Sequence, residues 1–246
     1  MKNVFKNFVL VNLLAGVSLF GPFARSSYAT LFGVMLDPGH GGKSTGCIRK
    51  CDDKIIKEQD LNYKIALFLK EELSNYRTKN GEEVKVELTR GESDNPSLSE
   101  RVEMADKLGF NLVVSLHINS IGPEYSSMCR GSLVIVTNSK ASNQFEEEAG
   151  LAKCILEELE KIGLRNRGLT RKVSSNGTTY SNVDVTDWFG IIRIGIEKNI
   201  ASIIIEHAFL SNKDDYEDFL STDEKLKELA AADARGIAKY YNLVTK

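Results

Sequence analysis

Histidine is scarce in this chain, whose 246 residues contain only His40, His117 and His207. A site that needs two or three imidazoles must therefore use these positions. The chain also lacks a large excess of either charge, since 32 basic side chains stand against 34 acidic ones and the formal net charge is -2. A nearly neutral chain has no general electrostatic attraction for nucleic acid or for an anionic membrane surface. The composition thus argues against nucleic acid as a partner.

The remaining composition is that of a globular protein, with 42% hydrophobic and 27% charged residues. This balance excludes a disordered or collagen-like chain. The length is sufficient for one α/β domain with a substantial core.

The first 29 residues have the features of an export signal. Lys2 and Lys6 precede a mostly apolar stretch at 8–20, and small residues follow at Ser27 and Ala29. A stretch of that length is short for a membrane span, which needs roughly 20 residues. We therefore predict a signal peptide over 1–29 and a secreted or envelope-associated domain over 30–246. An uncleaved anchor, which would be the chain's one membrane contact, and a buried N-terminal helix are the alternatives.

Four cysteines, Cys47, Cys51, Cys129 and Cys154, would lie outside the cytosol after export. They permit three complete pairings, among which the sequence does not choose. Cys47 and Cys51 are close enough in sequence to close a small loop, so this pairing is the first to test. A zinc site built from these two cysteines lacks a second pair at finger-like spacing.

Apolar runs and helical spacings alternate along the rest of the chain. Short apolar runs predict strands at 31–36, 84–88, 112–116, 131–137 and 203–205. Helical spacing predicts helices beginning near Glu58, at a Ser97–Glu100 capping box, near Phe145 and towards the end of the chain. The polar segment 163–187 is predicted to be a long surface loop. The alternation implies a single α/β domain, a mostly parallel twisted sheet with helices on both faces.

Polar side chains end or follow three of the predicted strands. His40 follows the first strand, His117 ends the run at 112–116 and Glu206 ends the run at 203–205. The ligand crevice of an open parallel sheet lies beyond the carboxyl ends of its strands, so these residues can converge there together with Glu58. Two imidazoles and a carboxylate form a three-ligand zinc site with one position open for water. A second carboxylate is a candidate general base.

Each of these residues also has a purely structural interpretation. His40 can be an ordinary turn residue, His117 a hydrogen-bonded residue at a strand end, and Glu58 a partner of the helix dipole. Glu206 is the least ordinary, because an ionised carboxylate directly after three isoleucines is costly without a partner. His207 would point to the opposite face of the strand, and we predict a structural role for it.

Four motifs occur in order along the chain: LDPGHGG at 36–42, Glu58 ahead of LN at 61–62, SLHINS at 115–120 and EHAFLSN at 206–212. The shorter motifs LTR at 88–90, SLSER at 97–101 and NRG at 166–168 accompany them. Together they resemble the zinc-dependent N-acetylmuramoyl-L-alanine amidases, the cell-wall hydrolases of the amidase-3 family. The resemblance extends from about Val34 to the terminal helix.

This resemblance implies a ligand set and a reaction. His40, Glu58 and His117 would hold Zn²⁺, and Glu206 would be the catalytic glutamate. The substrate would be peptidoglycan, cleaved at the amide between the lactyl group of muramic acid and the first L-alanine of the stem peptide.

The chain departs from the family pattern at two places. KSTG at 43–46, followed by Cys47, replaces the usual acidic and small residues, and IAS at 200–202 replaces a common proline. Two other functions stay open, a zinc peptidase acting within the stem peptide and a non-catalytic wall-binding module of the same fold. The segment 174–181 is expected to be a solvated loop or, alternatively, to line the substrate groove.

Overall fold

A computed structural model describes residues 32–51, 54–122, 128–140, 142–181 and 184–246. The predicted signal peptide at 1–29 lies outside the described residues. Within those ranges, no helix has the length and apolar character needed to cross a membrane.

Strands and helices alternate along the described chain, as the sequence predicts. The strands are β1 (Gly33–Pro38), β2 (Ile48–Cys51), β3 (Lys54–Lys57), β4 (Tyr76–Arg77), β5 (Lys85–Leu88), β6 (Leu112–Asn119), β7 (Ser132–Ile135), β8 (Asn166–Thr170), β9 (Ala201–Phe209) and β10 (Val244–Thr245). The helices are α1 (Glu58–Leu73), α2 (Leu98–Leu108), α3 (Gln144–Lys161), α4 (Gly190–Lys198), the short α5 (Lys213–Asp215) with a π-helical turn (Tyr216–Leu220), and α6 (Asp223–Tyr241).

The central sheet has the strand order β5-β1-β6-β9-β7-β8. β5, β1, β6 and β9 are parallel to one another, β7 is antiparallel to β9, and β8 is parallel to β7. The predicted, mostly parallel sheet is confirmed. We call the end of the sheet where β1, β6 and β9 finish the carboxyl edge. The opposite end, where β9 begins and where β7 and β8 finish, is the amino edge.

Helices cover both faces of the sheet, as predicted. Val34 and Leu36 join the apolar cluster of α1, α3 and α6, whereas Met35 packs with Val102 of α2 on the other face. This division follows from the strand itself, in which successive side chains point to opposite faces. Burial on both faces explains why these strands appear in the sequence as continuous apolar runs.

Three predicted boundaries need correction. β6 and β9 extend beyond their apolar runs, so His117 and Glu206 lie inside strands rather than at their ends. Pairing continues because the two strands recover register at Asn119 and Phe209 after an irregularity. The segment at 163–187, predicted to be a loop, contains β8. The sequence does not indicate this strand, because a partly exposed edge strand needs no apolar run.

Candidate active site

His40 lies directly after β1 in a tight turn at the carboxyl edge. Its φ of 64° is in the left-handed region, which residues other than glycine rarely adopt. Gly39 beside it has no room for a side chain, because a Cβ there would collide with the imidazole of His117. The turn therefore brings the two rings together, with centroids 4.9 Å apart and planes at 74°.

Glu58 is the first residue of α1 and is only 4% exposed. The backbone N–H of Ile118 donates to its Oε1 at 3.1 Å, and the backbone N–H of Cys47 donates to its Oε2 at 2.9 Å. A Cβ at Gly46 would run into the same carboxylate. Two elements distant in sequence thus fix the orientation of Glu58.

His40, Glu58 and His117 form a cluster in which one ligand atom from each residue lies within 4.8 Å of the others. Glu58 Oε1 is 3.2 Å from His40 Nε2 and 3.0 Å from His117 Nδ1. A tetrahedral zinc ion with bonds of 2.0–2.1 Å has ligands separated by about 3.3 Å. The donor types and the spacing both fit a three-ligand zinc site. The structure therefore brings the three predicted ligands together.

The cluster perturbs the charges of its members. Burial raises the pKa of Glu58, but hydrogen bonds from His117 and His40 outweigh it and hold that pKa well below its usual range. Burial lowers the pKa of His117, while its hydrogen bond to Glu58 and the nearby Glu206 carboxylate raise it by more. Glu58 is thus ionised at neutral pH, as a metal ligand must be.

Glu206 pairs in register with His117 of β6 and, on the other side, with Leu133 of β7. Its Oε2 atom is buried and has no hydrogen-bond partner among the described residues. Burial raises the pKa of Glu206, and the charge of His117 opposes this effect. A carboxylate oxygen without a partner beside a candidate metal site is available to accept a proton from a bound molecule.

The His40 turn rests on a buried ion pair that no local sequence pattern predicts. Asp37 accepts from Arg101 Nη1 at 2.7 Å and from the hydroxyls of Ser115 and Thr89 at 2.6 Å each. Arg101 also donates to the carbonyl of His40 at 2.8 Å. Burial raises the pKa of Asp37, but Arg101 and the two hydroxyls hold it below its usual range.

Arg90 supports the same turn from another side. It donates to the carbonyls of Pro38 and Gln59, at 2.8 Å each, and Asn62 donates to the carbonyl of Gly39 at 3.2 Å. The sequence does contain a signal for both supporting arginines, because Arg90 is the last residue of the LTR motif and Arg101 the last residue of the SLSER motif. Their roles as donors to backbone carbonyls were not predicted.

All four cysteines are free in the structure. Cys47 precedes β2 and Cys51 ends it, and the extended backbone of Ile48–Cys51 alone spans about 10 Å. A disulfide needs Cα atoms within about 7 Å, and this pairing, the first to test among the three, is not formed. Cys47 Sγ instead donates to the carbonyl of Ile118 at 3.5 Å, and burial raises the pKa of its thiol.

The segment 174–181 lies away from this cluster. The hydroxyl of Tyr180 donates to Asp187 at 2.8 Å, and Asp187 also accepts from Thr137, just beyond the end of β7. Because β7 is antiparallel to β9, this contact lies at the amino edge. Most of the segment is exposed. The solvated-loop prediction fits this position, and lining of a groove at the carboxyl edge does not.

Comparison with known proteins gives an independent result. The sequence model of the Amidase_3 family, described as N-acetylmuramoyl-L-alanine amidase, matches residues 34–239. The chain is 28% identical over 214 residues to an endolysin of Bacillus phage SPP1, covering 87% of this chain and 67% of that protein. It is 26% identical over 234 residues to the N-acetylmuramoyl-L-alanine amidase AmiA of Salmonella typhimurium, covering 85% of this chain and 76% of that protein. A solved N-acetylmuramoyl-L-alanine amidase from Clostridium difficile 630 shares the fold with a TM-score of 0.68 and 24% identity, covering 87% of this chain and 98% of that chain.

Proposed function

The chain belongs to the Amidase_3 family of N-acetylmuramoyl-L-alanine amidases, and from this membership we propose how its carboxyl edge hydrolyses peptidoglycan. The bond cleaved is the amide between N-acetylmuramic acid and the first L-alanine of the stem peptide. We assign metal binding to His40, Glu58 and His117, and proton transfer to Glu206.

The proposed metal is zinc, because two imidazole nitrogens and one carboxylate oxygen at the observed spacing are a donor set that zinc favours. A bound zinc ion supplies Lewis-acid chemistry, lowering the pKa of a water molecule towards neutrality and polarising the scissile carbonyl. The protein contributes the orientation of the ligands. Backbone N–H groups hold Glu58, and Ser44 Oγ lies 3.2 Å from Nδ1 of His40, so that Nε2 of this ring faces the cluster.

Glu206 acts as the general base and then as the general acid. Its unpaired Oε2 accepts a proton from the attacking water molecule as the oxygen approaches the carbonyl carbon. The same carboxyl group returns that proton to the nitrogen of L-alanine as the amide C–N bond breaks. The raised pKa of Glu206 favours this double role, because it brings the carboxyl group closer to the working pH.

The observation that carries the proposal is the pairing of a three-ligand cluster with a buried carboxylate oxygen that lacks a partner among the described residues. The test is a zinc titration against a competing chelating dye. We expect one zinc ion per wild-type chain and loss of binding in Glu58→Gln. Glu224→Gln, which alters an exposed glutamate in the first turn of α6, is the matched control and should bind zinc normally. Normal zinc binding by Glu58→Gln would overturn the ligand assignment.

The location of the enzyme follows from its substrate. Relatives named as cell-wall amidases act on an extracytoplasmic polymer, and we propose that this chain is exported and is secreted or associated with the cell envelope. The export signal predicted at 1–29 supports this proposal. N-terminal sequencing of the protein recovered from the culture medium or envelope fraction tests it, and a mature N-terminus near residue 30 is the expected result.

A further inference from the structure

A buried ion pair joins β9 to α6 directly behind the proposed active site. His207 and Asp233 are both 0% exposed, and His207 Nε2 lies 2.7 Å from Asp233 Oδ2. The surrounding α6 residues are apolar, including Ala230 and Ile237. Replacing a buried ion pair by apolar side chains of similar volume is often neutral or stabilising. Stability therefore gives no sufficient reason for this pair.

The other nitrogen of the same ring reaches a proposed zinc ligand. His207 Nδ1 lies 3.2 Å from the backbone carbonyl oxygen of His117. A carbonyl oxygen only accepts hydrogen bonds, so Nδ1 carries the proton and donates it. Asp233 fixes the ring from α6, and the ring in turn holds the backbone of β6 at His117.

This bond lies where the pairing between the two strands is interrupted. β6 and β9 pair regularly as far as His117 and Glu206, and the register then shifts before Asn119 pairs with Phe209. Such an irregularity weakens the backbone ladder locally and re-aims nearby side chains. The side chain of His207 supplies a cross-strand hydrogen bond at the position where the ladder is disturbed.

Within the described part of the chain, the side chain of Asp233 has no hydrogen-bond partner other than His207. Its second oxygen, Oδ1, is buried without a partner there. An unsatisfied buried oxygen is costly, and such a group calls for an explanation other than packing. Among the described residues, the contact with His207 is the one hydrogen bond that this carboxylate group makes.

We propose that His207 and Asp233 are positioning residues that hold the His117 ligand and the Glu206 base in register across the β6–β9 irregularity. The proposal rests on the roles assigned above to His117 and Glu206. Neither positioning residue touches the substrate. Loss of groups that orient metal ligands typically costs 10- to 100-fold in metal affinity or activity, and that is the effect expected here.

The decisive variant is the double substitution His207→Leu/Asp233→Leu, which removes the pair and keeps the volume apolar. We expect an unchanged or higher Tm, about 10- to 100-fold weaker zinc binding and a similar fall in kcat, with little change in KM. Arg235→Gln is the matched control, because Arg235 lies on the same helix as Asp233 but pairs with Glu158 of α3. Its loss should leave zinc affinity and kcat unchanged.

A folded double variant with wild-type zinc affinity and kcat would overturn the proposal. If the double variant does not fold, the single variant Asp233→Leu decides the question, since it removes the group that holds Nε2 and leaves His207 in place. We expect about 10-fold weaker zinc binding in that variant, and unchanged affinity would overturn the proposal. Failure of the proposed function is recognised separately, because the wild-type enzyme would then bind no zinc.

Discussion

Two glutamates lie near opposite ends of β9, the buried Glu148 of α3 and the partly buried Glu206 of β9 itself, and they differ in their hydrogen-bond partners. Glu148 of α3 meets the amino edge, where its carboxylate accepts from the backbone N–H groups of Thr137 at 2.7 Å and Ser202 at 2.9 Å. Glu206 lies towards the carboxyl edge, where its Oε2 has no partner among the described residues. Burial raises the pKa of both side chains, that of Glu148 to about 8.

The comparison separates structural from chemical use of a buried carboxylate. A carboxylate whose oxygens are satisfied by backbone donors holds loops and strands together, as Glu148 does between Thr137 and Ser202. A carboxylate left unsatisfied beside a candidate metal site costs stability and retains the capacity to take a proton. Burial and a raised pKa alone therefore do not single out Glu206. What distinguishes it is an oxygen without a partner among the described residues, combined with a place beside His117 of the candidate metal site.

The largest expected effect is the loss of activity in Glu206→Gln. We expect kcat for release of dye-labelled wall fragments to fall by about 10²- to 10⁴-fold, because an amide cannot accept the proton from water. Zinc content and Tm should remain close to those of the wild type. Glu148→Gln is the matched control from the amino edge and should keep normal kcat per folded molecule. Equal losses in the two variants would remove the distinction between the glutamates.

The next largest effect concerns Asp37, whose buried carboxylate has hydrogen-bond partners at the carboxyl edge. Asp37→Asn leaves Arg101 buried without its counter-charge, and we expect a loss of about 3–5 kcal/mol in the free energy of unfolding. Urea denaturation measures it. Asp94→Asn, at an exposed residue of the neighbouring loop, is the control and should cost far less. A loss for Asp37→Asn below about 1 kcal/mol would show that the pair behaves like a surface salt bridge.

A smaller effect is expected for stability at the amino edge. Glu148→Gln replaces one accepting oxygen by an NH₂ group that faces a backbone N–H, which should cost about 1–3 kcal/mol. Urea denaturation of the variant at pH 9, where the wild-type carboxylate is ionised, measures the loss. A variant as stable as the wild type would show that the two backbone donors contribute nothing.

The smallest effect, and the most diagnostic one, is the contribution of Glu148 to the pH dependence of the free energy of unfolding. The folded-state pKa of Glu148, about 8, lies above its ordinary value of 4.5, so the folded state binds this proton more tightly than the unfolded chain. Its contribution to stability is therefore present below about pH 4.5 and is lost as the pH rises towards 8. We expect Glu148→Gln to lack this decline in unfolding midpoints measured between pH 5 and 9. Parallel curves for wild type and variant would contradict the assignment.

The four proposed site residues could be predicted from the sequence because each stands beside a recognisable element. His40, His117 and Glu206 accompany apolar strands, and Glu58 opens a helix. The topology of a parallel sheet then brings such residues together at one edge. Periodicity alone gave a weak case for Glu58, and its motif strengthened that case.

The partners of the supporting residues could not be predicted, because tertiary packing sets them. Nothing in the local sequence shows that Arg101 will pair with Asp37, or that His207 will meet Asp233 from a distant helix. β8 was missed for a related reason, since an edge strand with partly exposed side chains carries no apolar signature. Local patterns thus locate elements, whereas the buried polar pairs appear only in the folded structure.

Mass spectrometry of purified peptidoglycan digested by the wild-type enzyme, with and without a chelator, tests the central claim most directly. The account predicts intact stem peptides that begin with a free L-alanine amine, glycan strands without new reducing ends, and no products in chelator until zinc is restored. Peptides cut within the stem, or products unchanged by chelation, would contradict it.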